Sequence, residues 1–165
     1  MKAAEITDRV IEALRRKRNR FGFVRVNLAN GDMVGHTGVV PAVRIAVETV
    51  DLCLGRLLKA VAETGGLLVA TADHGNADDM YEHNKKTGAV ALDSNGEPKR
   101  RTAHSLNPVP VFFYDPAGTA KVRLSAAAEA TGESGLGISS LAATCLKLLG
   151  YEPPPDYTPS IVDVG

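Results

Sequence analysis

Apolar residues four apart, at Ile6, Val10 and Leu14 with charges between them, predict a helix over 3–18. FGFVRVNLA (21–29) then concentrates aromatic and β-branched residues and reads as a strand. After the loop NGDMVGHTG, Pro41 suits the first turn of a helix, where its missing N–H has no partner to lose. Val43, Val47, Val50, Leu54, Leu57, Leu58 and Val61 form a wide apolar stripe along that helix, and Gly65-Gly66 stops it. GLLVATAD (66–73) is nearly continuous in apolar residues, as for a strand covered on both faces. A polar stretch, 76–103, follows, with a small hairpin expected around AVAL and the Ser94-Asn95-Gly96 turn. VPVFFYD (109–115) is the next strand, and ISSLAATCLKLLG (138–150) is the last helix, closed by Gly150. The proline-rich tail YEPPPDYTPS should run extended over the surface.

Strands alternating with helices predict an α/β fold, with a largely parallel sheet flanked by helices. Sheets of that kind place ligands beyond the carboxyl ends of their strands. No internal repeat and no interdomain linker interrupts the chain, and 165 residues are enough for one core.

Charge narrows the classes of partner. Nineteen basic and nineteen acidic residues cancel, so no global field draws the chain to nucleic acid or to an anionic membrane. The basic run LRRKRNR lacks interleaved aromatics and reads as a solvated helix end. No apolar run approaches the roughly 20 residues that span a bilayer. The basic cluster near the N-terminus follows the apolar positions, the reverse of a secretory signal. Cys53 and Cys145 lie far apart in apolar helical patterns, as expected of free thiols in a reducing compartment, with the cytoplasm as the default location.

Candidate chemistry gathers in three strings: Asp32 and His36 in NGDMVGHTG, Asp73 and His74 in TADHGN, and His104 in TAHSLNPVP. All five are metal-ligand types, and each string adjoins a predicted strand. The order of elements therefore allows them to meet at one sheet edge. Asp32 and His36 stand four apart among glycines, which let a tight backbone turn both side chains toward one ion. An acidic–imidazole pair at the end of an apolar strand suits coordination better than packing. Mixed carboxylate and imidazole donors favour Mn²⁺, Zn²⁺ or Fe²⁺ over Mg²⁺ or Ca²⁺. Two such ions about 3.5–4 Å apart can bind both the attacking and the leaving oxygen in a displacement at phosphorus.

NGDMVGHTG, TADHGNADDM and TAHSLNPVPVFF resemble the C-terminal metal-binding segments of the cofactor-independent phosphoglycerate mutases, members of the alkaline phosphatase superfamily. The resemblance extends from MKAAEIT to the proline-rich tail. It implies an alkaline phosphatase-like but incomplete fold: one partial domain, 1–165, without the N-terminal nucleophile segment and the inserted substrate-binding domain. It implies that Asp32, His36 and His104 hold one manganese ion, and that Asp73 and His74 hold a second. Zn²⁺, Fe²⁺ and Co²⁺ are the other ions considered. The reaction implied moves phosphate between the 3- and 2-positions of glycerate through a phosphoserine, with no bisphosphoglycerate primer.

The family's Gly-Asn-Ser-Glu-Val-Gly-His nucleophile string is missing here. Ser94, Ser105, Ser125, Ser134, Ser139, Ser140 and Ser160 sit in no comparable context, and Ser105 reads as a loop hydroxyl bonded to nearby backbone. The chain is thus expected to be a truncated piece, inactive alone, whose partner is a separate or missing N-terminal segment. Its sheet would then expose an edge and apolar surface. The other readings are a different superfamily member, such as a phosphopentomutase or phosphodiesterase, and a non-catalytic metal-binding protein. Outside the three strings, His83 is expected to be a solvated loop residue lacking a carboxylate partner. The KRR at 99–101 is expected to be exposed, with proximity to substrate phosphate as its alternative role.

Overall fold

The computed structural model describes residues 1–16, 21–129 and 136–165. The last two residues of the predicted first helix, the KRNR end of the basic run, and Ser134 lie outside them. The elements are α1 (Ala3–Arg15), α2 (Asn30–Gly35), α3 (Val40–Thr64), β1 (Leu68–Thr71), β2 (Val111–Tyr114), β3 (Arg123–Leu124), α4 (Ala126–Glu129), α5 (Ser140–Leu148) and β4 (Val162–Asp163).

α3 is the strut of the fold. Its 25 residues begin with proline in the first turn and end at Gly65, whose φ of 67° is the left-handed conformation that stops a helix. The Gly66 N–H reaches back to the Val61 carbonyl at 3.0 Å and so caps a carbonyl that the helix leaves open. The buried face is narrower than the predicted stripe: Val43, Ala46, Cys53, Leu57, Ala60 and Val61. Val47 is instead exposed, as are Ile45 and Leu52. Small residues on the inner face let α1 and α2 approach closely, and both pack on α3.

On α1 the buried positions are Ala3 and Thr7, with Val10 and Leu14 half-buried. Ile6 lies off that face, exposed. Two ion pairs, Arg15–Glu63 at 2.6 Å and Arg56–Asp8, tie α1 to α3 at the surface. Exposed pairs of this kind contribute about 0–1 kcal/mol each, so burial rather than charge holds the two helices together.

The strand pairs correct the expectation of a largely parallel sheet. β1 and β2 pair antiparallel, with Leu68 opposite Tyr114 and Thr71 opposite Val111. β3 and β4 also pair antiparallel. Parallel neighbours need a crossover, usually a helix, but the connection from β1 to β2 is an irregular excursion that lets the chain return alongside itself. Nor is β1 covered on both faces: Leu68, Val69 and Ala70 are half-buried and Thr71 is exposed.

Residues 21–29 form no strand, and among the described residues none makes a β-bridge to them. Phe21 and Phe23 are 60% and 55% exposed. A strand exists only as a pairing, so β-forming side chains alone do not make one.

The excursion itself is ordered. Residues 80–84, 89–93 and 97–101 run back and forth as a narrow antiparallel ladder, with bridges Tyr81–Arg100, His83–Val90 and Leu92–Pro98. Glu82 N–H donates to the Lys99 carbonyl at 2.9 Å, and Ala91 N–H to the Glu82 carbonyl at 2.7 Å. The expected turn at Ser94-Asn95-Gly96 closes one end, with Gly96 at φ 80°.

The proline-rich tail does more than lie on the surface. It ends in β4, where Val162 is fully buried against the C-terminal layer. There the Thr144 hydroxyl donates to Ser140 O at 2.8 Å and accepts from the Ile161 N–H at 2.9 Å. The Ser160 hydroxyl donates to Val162 O at 2.7 Å, and that of Ser125 to Ser160 O at 3.0 Å. Buried hydroxyls satisfied in this way specify one packing of tail on helix.

Candidate metal centre

Where the glycines left a loop or an early helical turn open, the chain forms the short helix α2. The helix matters because it fixes Asp32 in its first turn and His36 at its C-cap. Residues four apart share a helix face, and His36 Nε2 lies 3.2 Å from Asp32 Oδ1. From the loop before β2, His104 Nε2 comes within 3.2 Å of the same Asp32 oxygen. The two imidazole nitrogens are also 3.2 Å apart.

Three donor atoms thus form a nearly equilateral triangle. Donors held about 2.1 Å from one cation stand about 3.0 Å apart in octahedral and about 3.4 Å apart in tetrahedral coordination. The observed edges fall between these values, so the donor set fits a single divalent ion. Asp32, His36 and His104 are the one such group among the described residues.

The surroundings orient the donors. His36 Nδ1 lies 2.6 Å from the Thr102 carbonyl. A carbonyl only accepts, so Nδ1 carries the proton and Nε2 of the neutral ring turns its lone pair into the triangle. The Asn76 amide, almost fully buried, donates to Asp32 Oδ1 at 2.9 Å.

His74 stacks on His104, with ring centroids 3.7 Å apart and planes 16° apart. Its Nδ1 is buried without a hydrogen-bond partner and faces Asp32 Oδ1 at 4.0 Å. A buried ring nitrogen with no hydrogen-bond partner, beside a carboxylate, is chemically suited to a cation's donor set. Asp73 stands at the rim, its side chain 75% exposed, with Oδ1 3.7 Å from His74 Nε2. The structure therefore gathers Asp32, His36, His74 and His104 closely and leaves Asp73 at the edge, where among the described residues it reaches His74.

Asp78 and Asn107 frame the site without having been singled out in the sequence. Asp78 accepts from the Ser105 hydroxyl at 2.8 Å and the Asn107 amide at 2.6 Å. Burial pushes its carboxyl up, but the bonds from Asn107 and Ser105 outweigh that and hold it below the usual carboxylate range. Ser105 is buried; its hydroxyl bonds nearby backbone as expected, accepting from the Asn107 N–H at 3.4 Å, and also donates to that carboxylate. Arg100 and Arg101 are likewise engaged, the first on the Gly38 carbonyl at 2.5 Å and the second on Asp79 at 3.1 Å.

His83 corrects the expectation that it has no carboxylate partner: its Nε2 lies 2.9 Å from Asp79 Oδ1. The spacing, four residues, is that of Asp32 and His36, and it was legible. The Asp79 hydrogen bond, followed by that to the Gly88 carbonyl, raises the His83 ring above its ordinary 6.5. A raised value stabilises the fold fully below about pH 6.5 and loses that contribution as pH climbs through the folded value. Melting temperature should therefore fall from pH 6 to pH 8 slightly more in the parent chain than in His83→Gln. Equal slopes in a two-pH thermal melt would rule out the pair as a contributor.

A family model described as the Metalloenzyme superfamily matches residues 1–153. The chain belongs to the Metalloenzyme superfamily. Among curated relatives of this superfamily chain, a probable 2,3-bisphosphoglycerate-independent phosphoglycerate mutase of Leptospira interrogans is 44% identical over 162 residues, covering 98% of this chain and 28% of that protein. The 2,3-bisphosphoglycerate-independent phosphoglycerate mutase of Trypanosoma brucei brucei is 40% identical over 165 residues, covering 100% of this chain and 28% of that protein. Among solved structures, Leishmania mexicana phosphoglycerate mutase at low cobalt concentration matches with a TM-score of 0.88 and 42% identity, covering 100% of this chain and 29% of that one. The Metalloenzyme superfamily chain thus spans 28% of the length of these curated relatives.

Proposed function

We propose that this chain is the metal-binding portion of a 2,3-bisphosphoglycerate-independent phosphoglycerate mutase of the alkaline phosphatase type, an isomerase that interconverts 3- and 2-phosphoglycerate. The observation that carries the reading is the Asp32–His36–His104 triangle, with edges of 3.2 Å. It stands in a chain whose whole length is 40% identical to a protein of that name.

In this reading Asp32, His36 and His104 hold one ion, and Asp73 with His74 contributes to a second. The donor set suits manganese, with zinc, iron and cobalt as chemically similar occupants. A pair of divalent ions supplies charge stabilisation to both oxygens of an in-line phosphoryl displacement. The chain's own residues orient the donors: Thr102 fixes the His36 tautomer, and Asn76 fixes the Asp32 carboxylate. A reducing, cytoplasmic setting is part of the same reading, in which Cys53 and Cys145 are free thiols.

No described serine serves as nucleophile. Ser105 is closed off against Asp78, Ser125, Ser140 and Ser160 are buried in the C-terminal layer, and Ser139 is bonded to Thr158. Ser94 sits in the ladder's exposed turn. In this reading the phosphoserine step and the grip on substrate phosphate fall to a partner segment outside these residues, which the 28% share of each curated relative's length supports.

The 165-residue chain should accordingly bind Mn²⁺ and yet turn over no 3-phosphoglycerate above a His36→Ala control. Turnover well above that control would overturn the division of labour. Failure of the parent chain to bind Mn²⁺, Zn²⁺ or Co²⁺ in a calorimetric titration would overturn the metal reading itself.

A further inference from the structure

His104 is the least secured member of the triangle. Its side chain is 47% exposed, and its loop belongs to no helix or strand. Packing alone does not fix such a side chain, so directional bonds must. Those bonds come from two adjacent carboxylates, Asp78 and Asp79, which follow the TADHGN string.

Asp79 acts on the approach to His104. One Arg101 nitrogen bonds Asp79 Oδ2 at 3.1 Å, while the other donates to the His104 backbone carbonyl at 2.7 Å. The planar guanidinium makes both bonds at once, so the carboxylate sets the angle at which the carbonyl is held. The Arg101 backbone is itself fixed to the Met80 carbonyl at 2.9 Å by the end of the ladder.

Asp78 acts on the exit, where one of its oxygens takes both Ser105 and Asn107. Ser105 in turn forms a β-bridge with Gly75, its N–H on the Gly75 carbonyl at 2.9 Å. The residues immediately after His74 and after His104 are thereby joined, which brings the two rings into their stack. A Cβ at Gly75 would meet the Ser105 hydroxyl at 2.1 Å, so the bridge closes only on glycine.

We propose that Asp79, through Arg101, and Asp78, through Ser105 and Asn107, are positioning residues that clamp His104 from both sides against Asp32 and His36. The clamp rests on the metal reading only for its effect on cation affinity; its effect on ring geometry is independent of any cation.

The test uses the full chain with Arg101→Met, Arg101→Lys, Asp79→Asn and Asn107→Ala. Glu82→Gln is the control, since it breaks the Lys99–Glu82 pair on the same ladder without touching the clamp. Mn²⁺ affinity by titration should fall about 10- to 100-fold in Arg101→Met, as for loss of a group that orients a ligand. Asp79→Asn and Asn107→Ala should each weaken binding, Arg101→Lys should recover part of the loss, and Glu82→Gln should stay within about twofold of the parent.

In the cation-free protein, histidine ring NMR should show the His36–His104 contact and the mutual shielding of the stacked His74 and His104 rings. Both signals should be reduced in Arg101→Met and kept in Glu82→Gln. Unaltered ring contacts in Arg101→Met, Asp79→Asn and Asn107→Ala would overturn the clamp, whatever the affinities. Should Arg101→Met not fold, Asp79→Asn and Asn107→Ala, which preserve side-chain volume or trim an exposed loop residue, decide the matter on the same two readings. If the parent shows the ring contacts but binds no Mn²⁺, the metal reading falls while the clamp is still judged by NMR.

Discussion

Asp32→Ala abolishes the stabilisation that a divalent cation confers, while the cation-free melting temperature stays within about 4 °C of the parent. One Asp32 oxygen is the shared vertex of the site, touched by His36, His104 and the Asn76 amide. Its removal leaves a cation two imidazoles and no compensating charge. Loss of the carboxylate should therefore exceed the 10- to 100-fold cost of losing an orienting group.

Without a cation the balance is different. Three donor atoms 3.2 Å apart direct lone pairs at one another unless a proton lies between them. Truncation relieves that repulsion while forfeiting one hydrogen bond of about 1 kcal/mol, so the two effects offset. At a cation concentration 100-fold above the dissociation constant, the parent gains about 2.7 kcal/mol, or roughly 5–10 °C. Thermal melts with and without Mn²⁺ read this directly. An Asp32→Ala chain that keeps the parent's cation-induced shift would remove Asp32 from the site.

The second large effect concerns Gly35→Ala, which should cost about 1–3 kcal/mol and weaken cation binding in the same variant. A Cβ at Gly35 would lie 2.0 Å from the Asn76 amide oxygen and 2.7 Å from its carbon. Asn76 cannot yield cheaply, because it is 6% exposed and holds Asp32 in place.

The sign should reverse in an Asn76→Ala background. There the added methyl occupies vacated space, and alanine outperforms glycine in a helix by about 1 kcal/mol. A double-mutant cycle measured by chemical denaturation isolates the coupling. Equal cost of Gly35→Ala in both backgrounds would place the strain elsewhere than in the Asn76 contact.

How far the chain could be read without coordinates depended on whether a feature is local. α3 was legible because its start and stop are written into Pro41 and Gly65. That Asp32, His36, His74 and His104 could meet was legible because three of the four histidines stand in short strings with carboxylates; the 3.2 Å spacing of Asp32, His36 and His104 is what the fold adds. By contrast, FGFVRVNLA has every local attribute of a strand, yet among the described residues none pairs with it in a sheet, and composition cannot supply that pairing.

The inner face of α1 was misjudged by one position for a similar reason: Thr7 buries more completely than Ile6, since the neighbouring helix decides which side faces inward. Asp78 and Asp79 carried no reading of their own in the sequence. Their partners, Arg101, Ser105 and Asn107, lie more than twenty residues away, and only the folded ladder brings them back.

That ladder has a consequence for how the protein can vary. Its exposed turn at 94–96 closes the far end of a hairpin whose base, Met80 with Arg101, is pinned by its own hydrogen bond of 2.9 Å. Length added at the turn changes the reach of the arm without altering the register at its root. The excursion is thus a place where this chain can tolerate added or removed residues while the Asp32–His36–His104 triangle keeps its geometry.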